Sequence, residues 1–123
     1  TAGVPLPGGD LEENGRLVAT PVAAFDRFVA RLAEQYPGFG CGYLLRLARR
    51  HGARATTVLG DARSLADMGH LLGPSLTERE VVYLKEREWA ASAEDILWRR
   101  TKAGLHLSAG ERARVTDAIA ALL

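Results

Sequence analysis

Residues 76–107 read LTEREVVYLKEREWAASAEDILWRRTKAGLHL, and this run decides the fold class. Thr77 stands three residues before Glu80, Ser92 three before Asp95 and, just past the run, Ser108 three before Glu111. A hydroxyl at that distance ahead of a carboxylate is the mark of a capping box, in which each side chain takes the other residue's free backbone N–H; Asp95 is a shorter stand-in for the usual Glu or Gln. Three helices are predicted from these starts, over 78–89, 93–102 and 109–122. Their apolar sets are Val81, Val82, Leu84 and Trp89; Ile96 and Leu97, with Trp98 at the margin; and Val115, Ala118, Ile119 and Leu122. Helices this short do not stand alone in water, so they must pack on one another or on what precedes them.

Upstream the pattern stays helical. Leu65, Met68, Leu71 and Leu72 give a partial stripe over 63–74, but Gly69, Gly73 and Pro74 favour a turn or two over a long helix. A short helical segment is expected over 54–59 on Ala55, Val58 and Leu59, closed by Gly60. Another is expected over 42–51, with Tyr43, Leu44, Leu47 and Ala48 inward, Arg46, Arg49 and Arg50 outward, and Gly52 as its stop. The first helix starts at Thr20-Pro21, a capping hydroxyl followed by a proline at the first helical position. Val22, Phe25, Phe28, Val29, Leu32 and Tyr36 then form one stripe until Pro37-Gly38. Residues 1–19 hold two prolines, four glycines and three acids without a helical or strand period, and read as a linker or docking tail. The predicted architecture is all-α: an irregular bundle of five to six short helices spanning 20–123, behind an extended N-terminal tail. Because the chain opens on Thr1 and a connecting-type segment, it is expected to be a piece of a longer protein.

Bulk properties exclude several functions. The 123 residues, 47% of them apolar, suffice for a real core. Sixteen basic against fifteen acidic residues leave a formal charge of +1, too little for a global field that would draw in nucleic acid. No apolar run approaches the roughly 18 residues needed to cross a bilayer, so a soluble domain is expected. The single cysteine, Cys41, rules out an intramolecular disulfide and fits a reducing compartment. No spacing ties Cys41 to His51, His70 or His106, and the three histidines are too scattered for a metal site. Gly38-Phe39-Gly40-Cys41-Gly42 is rich enough in glycine to face an anion, but no lysine and hydroxyl pair follows and no strand precedes it. A turn between helices explains it better. No catalytic, cofactor-binding or metal residue is assigned.

Two basic clusters remain. Arg46, Arg49, Arg50, His51 and Arg54 form a stripe that a stand-alone binding module for protein or nucleic acid would use. Arg99, Arg100 and Lys102 close the stretch 88–102, which also holds both tryptophans and the acids Glu88, Glu94 and Asp95. Cations at a helix C-terminus are favoured by its dipole in any case. Carboxylates lie within reach of Arg99 and Arg100, however, and a partly buried ion-pair network joining two helices or a neighbouring domain is expected. The residues assigned to this packing and docking role are Glu88, Trp89, Asp95, Trp98, Arg99, Arg100 and Lys102.

The run quoted above also resembles the C-terminal helical domain of the FAD-dependent, quinone-reducing (aerobic) glycerol-3-phosphate dehydrogenases. The resemblance lies in a Glu-aromatic-Ala stretch at Glu88, an acidic pair at Glu94-Asp95, the apolar pair Ile96-Leu97, Arg99-Arg100-Thr101 and a basic residue before Gly104. Leu6-Pro7-Gly8-Gly9-Asp10 and the helices from Tyr36 to Leu59 follow the same family's order. The resemblance implies a parent flavoprotein that oxidises sn-glycerol 3-phosphate to dihydroxyacetone phosphate and passes electrons to quinone. That parent would be cytoplasmic and peripheral on the inner face of the membrane. FAD and substrate would be held by preceding flavin-binding and cap domains, against which this piece would pack without catalytic residues of its own. Nucleic acid is not an expected partner.

Overall fold

The computed structural model describes residues 21–73 and 76–123; the proposed tail 1–19 and the Thr20 cap lie outside them. The described residues are helical, with one isolated antiparallel bridge between Leu71 and Thr77. Five α-helices are present among them: α1 Pro21–Gln35, α2 Cys41–His51, α3 Ala55–Leu59, α4 Glu78–Arg87 and α5 Ala109–Leu122. A π-helical segment, Asp95–Arg100, lies between α4 and α5, and 3-10 turns occupy Gly52–Arg54, Leu65–Met68 and Ala103–His106. The chain divides into two compact units, Thr1–Leu65 and Ala66–Leu123.

In the first unit α1 buries Ala24, Phe28 and Leu32, and Tyr36, just past its end, continues the same four-residue step. Val22, expected in this stripe, is 69% exposed, and Phe25 and Val29 are half-buried. At about 100° per residue, Val22 stands roughly 200° from Ala24, so the choice of the alanine as the buried position turns the valine to solvent. The Tyr36 hydroxyl donates to the Gly60 carbonyl at 2.8 Å and ties the end of α1 to the end of α3. Tyr36, Phe39 and Tyr43 form a ladder of rings, edge-on at 6.0 Å and then stacked at 5.6 Å. The turn that carries Phe39 passes close against the Arg63 backbone, whose carbonyl a Cβ on Gly38 would strike. Helices α2 and α3 bury the expected residues: Tyr43, Leu44, Leu47 and Ala48, then Ala55, Val58 and Leu59.

The second unit is built on α4, the π segment and α5, around Met68, Leu76, Val81, Leu84, Ile96, Leu97, Val115 and Ile119. The partial stripe before α4 resolves into one 3-10 turn with Met68 buried, Leu65 and Leu71 exposed and Leu72 half-buried. Of the three predicted boxes, only Ser108–Glu111 closes in both directions. Ser108 Oγ accepts from the Glu111 N–H at 3.3 Å, and Glu111 Oε2 accepts from the Ser108 N–H at 2.8 Å. At α4, Thr77 and Glu80 are both fully buried, and Thr77 Oγ1 has no hydrogen-bond partner among the described residues. The bridge with Leu71 draws Thr77 inward, and the free N–H of Glu78 goes to the His70 carbonyl at 3.1 Å instead of to a side chain. Helix α4 also stops at Arg87, short of the expected Trp89. At its flank Lys85 Nζ lies 3.5 Å from the Leu122 and Leu123 carbonyls, a cation at the negative end of α5.

Candidate docking surface

The stretch 88–102 is a wide loop and a wide helix held between two left-handed residues. Among the described residues, the non-glycine positions with positive φ are Trp89 at 55° and Lys102 at 58°. Glu88 caps α4, its N–H donating to the Leu84 carbonyl at 3.1 Å, and accepts from the Tyr83 hydroxyl at 3.5 Å. Trp89 then reverses the chain, so that the N–H of the buried Ala90 returns to that same Leu84 carbonyl, also at 3.1 Å. The indole is left 86% exposed, against the expectation that it would join the core.

The middle box closes only in part. The Asp95 N–H donates to Ser92 Oγ at 3.1 Å, but the shorter Asp carboxylate takes the Ala91 N–H at 3.2 Å, one residue ahead of the cap. That backbone bond, with Ser92 and the Arg99 guanidinium, holds the Asp95 carboxyl below the usual carboxylate range. The Ser108 N–H and hydroxyl do the same for Glu111.

From Asp95 the predicted α-helix is a π-helix. Thr101 accounts for this: its N–H and its hydroxyl both donate to the Ile96 carbonyl five residues back, at 3.0 and 2.7 Å. Its Oγ1 in turn accepts from the Ala103 N–H at 3.1 Å. Lys102, expected inside the helix, lies in the left-handed region just past it and opens the Ala103–His106 turn. That turn seats Gly104 beneath Trp98, where a Cβ would stand 2.9 Å from the ring. The Arg112 guanidinium sits 5.1 Å over the same ring and donates from Nη2 to the Leu107 carbonyl at 3.1 Å. Trp98 is therefore clamped between α5 and its own turn.

The seven residues assigned from the sequence thus separate. Asp95 and Trp98 are committed to local structure and Glu88 to the end of α4. Trp89, Arg99, Arg100 and Lys102 face solvent. Of the expected ion pairs, Arg99 meets Asp95 at 3.1 Å, one turn away, with 79% of its side chain exposed. Two residues that hold the stretch, Thr101 and Arg112, were not among the seven. The hydroxyl directly after Arg99-Arg100 and before Gly104 was the available signal for the first; nothing in the spacing marks the second.

The other clusters are structural. Arg46 and Arg49 are exposed, but Arg50, His51 and Arg54 are partly covered and engaged, which breaks the basic stripe. In the glycine-rich turn the N–H groups of Phe39, Tyr43 and Leu44 are spent on the Tyr36 and Gly40 carbonyls, while Gly40 and Gly42 face open space. Among the described residues no His, Cys, Asp and Glu side chains group so as to hold a metal ion, and no helix is long and apolar enough to cross a membrane. A groove of about 520 Å³ in the second unit is lined by Leu71, Leu72, Leu107, Val115 and Ala118, with Glu111 and Arg114 at its rim.

Comparison with known proteins places this geometry. Residues 1–123 match the family described as the C-terminal domain of alpha-glycerophosphate oxidase. The chain is 39% identical over 94% of its length to a glycerol-3-phosphate dehydrogenase of Pseudomonas aeruginosa, of which that alignment covers 20%. It is 35% identical over 91% of its length to the aerobic glycerol-3-phosphate dehydrogenase of Escherichia coli, again covering 20%. To the D-erythritol 1-phosphate dehydrogenase of Brucella abortus it is 39% identical over 95% of its length, covering 22%. The chain thus spans about a fifth of the length of the curated relatives it matches. On the match across all of its residues, it belongs to the family of the C-terminal domain of alpha-glycerophosphate oxidase.

Proposed function

We propose that this chain is the non-catalytic C-terminal domain of an FAD-dependent glycerol-3-phosphate dehydrogenase, joined through residues 1–19 and docked on the flavin-binding and cap domains that precede it. The parent oxidises sn-glycerol 3-phosphate to dihydroxyacetone phosphate, reduces quinone, and lies peripherally on the inner face of the cytoplasmic membrane. One observation carries the non-catalytic role. The chain is as close to a relative named for D-erythritol 1-phosphate as to one named for glycerol 3-phosphate, 39% in both. Relatives named for two different polyol phosphates thus share this domain to the same extent, which agrees with a part that does not choose the substrate. The charged side chains of the central stretch support the same view, because Asp95 is spent on Ala91, Ser92 and Arg99.

The test is to purify the chain and mix it with FAD, glycerol 3-phosphate and a dye acceptor. Helical circular dichroism with no retained flavin and no dye reduction is expected. A yellow, flavin-loaded chain would overturn the proposal.

A further inference from the structure

The two tryptophans of the central stretch are held in opposite ways. Trp98 is wedged between Gly104 and Arg112. Trp89 is 86% exposed, enters no ring or cation pair among the described residues, and occupies a left-handed conformation that disfavours any residue with a Cβ. The turn it makes is offset in part by the Ala90 N–H bond to the Leu84 carbonyl, but among the described residues nothing covers the indole. An exposed indole on a strained backbone, where glycine would serve the turn better, is the kind of outlier that marks a contact made elsewhere.

We infer that Trp89 is the anchor by which this domain docks, its indole entering an apolar pocket on the preceding part of the same polypeptide. The inference rests on the reading that this chain is the C-terminal piece of a longer flavoenzyme. Size selects that occupant over a second copy of the domain. Trp89 presents about 200 Å² of ring and stem, flanked by the small Ala91 and Ser92, against the roughly 800 Å² per partner that a stable free association buries. A tethered partner needs less, because the linker supplies an effective concentration on the order of millimolar. Relatives about five times as long as this chain have the body to provide such a partner. Charge selects against a bilayer. In sequence the residues next to Trp89 mix both signs, Lys85 and Arg87 with Glu86, Glu88 and Glu94, whereas an anionic surface calls for a basic cluster. A polar rim around an aromatic core is the ordinary build of a protein interface.

The experiment uses the full-length flavoenzyme carrying Trp89→Gly. Glycine suits the positive φ, so the turn is kept and only the indole is lost. Release of the C-terminal domain by limited proteolysis should accelerate about tenfold or more, since cleavage follows the population of the undocked state. Leu105→Ala removes another exposed apolar side chain, 67% accessible, and should leave the rate unchanged. Unchanged release in Trp89→Gly, or equal acceleration in both variants, overturns the anchor. Glycerol 3-phosphate oxidation by the unaltered enzyme tests the underlying reading separately. Its absence alongside Trp89-dependent protection would refute the assigned reaction and still support the anchor.

Discussion

Replacing Trp89 by glycine and by alanine in this chain separates backbone strain from side-chain contact. Both variants lose the indole. Only 14% of its surface is covered, since 86% is exposed, so the lost contact is about 35 Å² and costs about 1 kcal/mol at most. The variants differ in φ. Alanine keeps the left-handed penalty of about 1–2 kcal/mol, whereas glycine escapes it and concedes about 0.5–1 kcal/mol of backbone entropy. Trp89→Gly should therefore be more stable than Trp89→Ala by about 0.5–1 kcal/mol, or about 2–8 °C in melting temperature followed by circular dichroism. The order must reverse at Val82, which is on the outer face of α4 and 37% exposed. There alanine should exceed glycine by about 1 kcal/mol. Equal or inverted stabilities at position 89, or a loss of several kcal/mol in both variants, would show that the indole belongs to this chain's own core and that the strain argument is wrong.

Three further outcomes follow from the same geometry. Thr101→Val keeps shape but leaves the buried Ala103 N–H without its acceptor; it should cost about 1–3 kcal/mol in denaturant titration, and an unchanged midpoint would remove Thr101 as the lock of the π segment. Arg99→Ala should move the melting temperature by less than about 4 °C, because its ion pair is an exposed one-turn contact; a larger drop would restore the buried network. Asp95 and Glu111 have folded pKa values below their unfolded ones, so their contribution is fully present above about pH 5 and is lost as pH falls through the lowered values. Ser108→Ala, which removes one side of the closed box, should weaken the acid-side fall of the melting curve as well as destabilise α5; an identical pH profile would refute that link.

Much of this fold was legible because its signals are local. Ser108 and Glu111 form a box from side chains three residues apart, and the buried faces of α2 and α3 follow their apolar periodicity. Thr77 and Glu80 carry the same spacing and fail, because the Leu71 bridge and the His70 carbonyl satisfy the helix start through the backbone. Those partners lie several residues away and leave no mark in a four-residue motif. Ala24 displaces Val22 for a related reason: a stripe read from bulky residues overlooks the small one that lets a neighbour approach. The π-helix was not legible either, since the pattern of Ile96 and Leu97 does not distinguish a four-residue from a five-residue hydrogen bond. The Thr101 hydroxyl makes that choice.

The candidate surface was legible in place but not in mechanism. Density of charge drew attention to Arg99 and Arg100, yet opposite charges one helical turn apart satisfy each other at the surface and bind little else. The informative residue is the uncharged one. Trp98 and Trp89 have the same chemistry, and what separates them is backbone: one faces a glycine that lets the chain close over its ring, the other sits at a φ that turns its ring away from the core. A left-handed turn that exposes an indole at the end of a helix is the feature from which the docking proposal starts. Within 88–102, Trp98 is thus accounted for by its contacts among the described residues, and Trp89 is not.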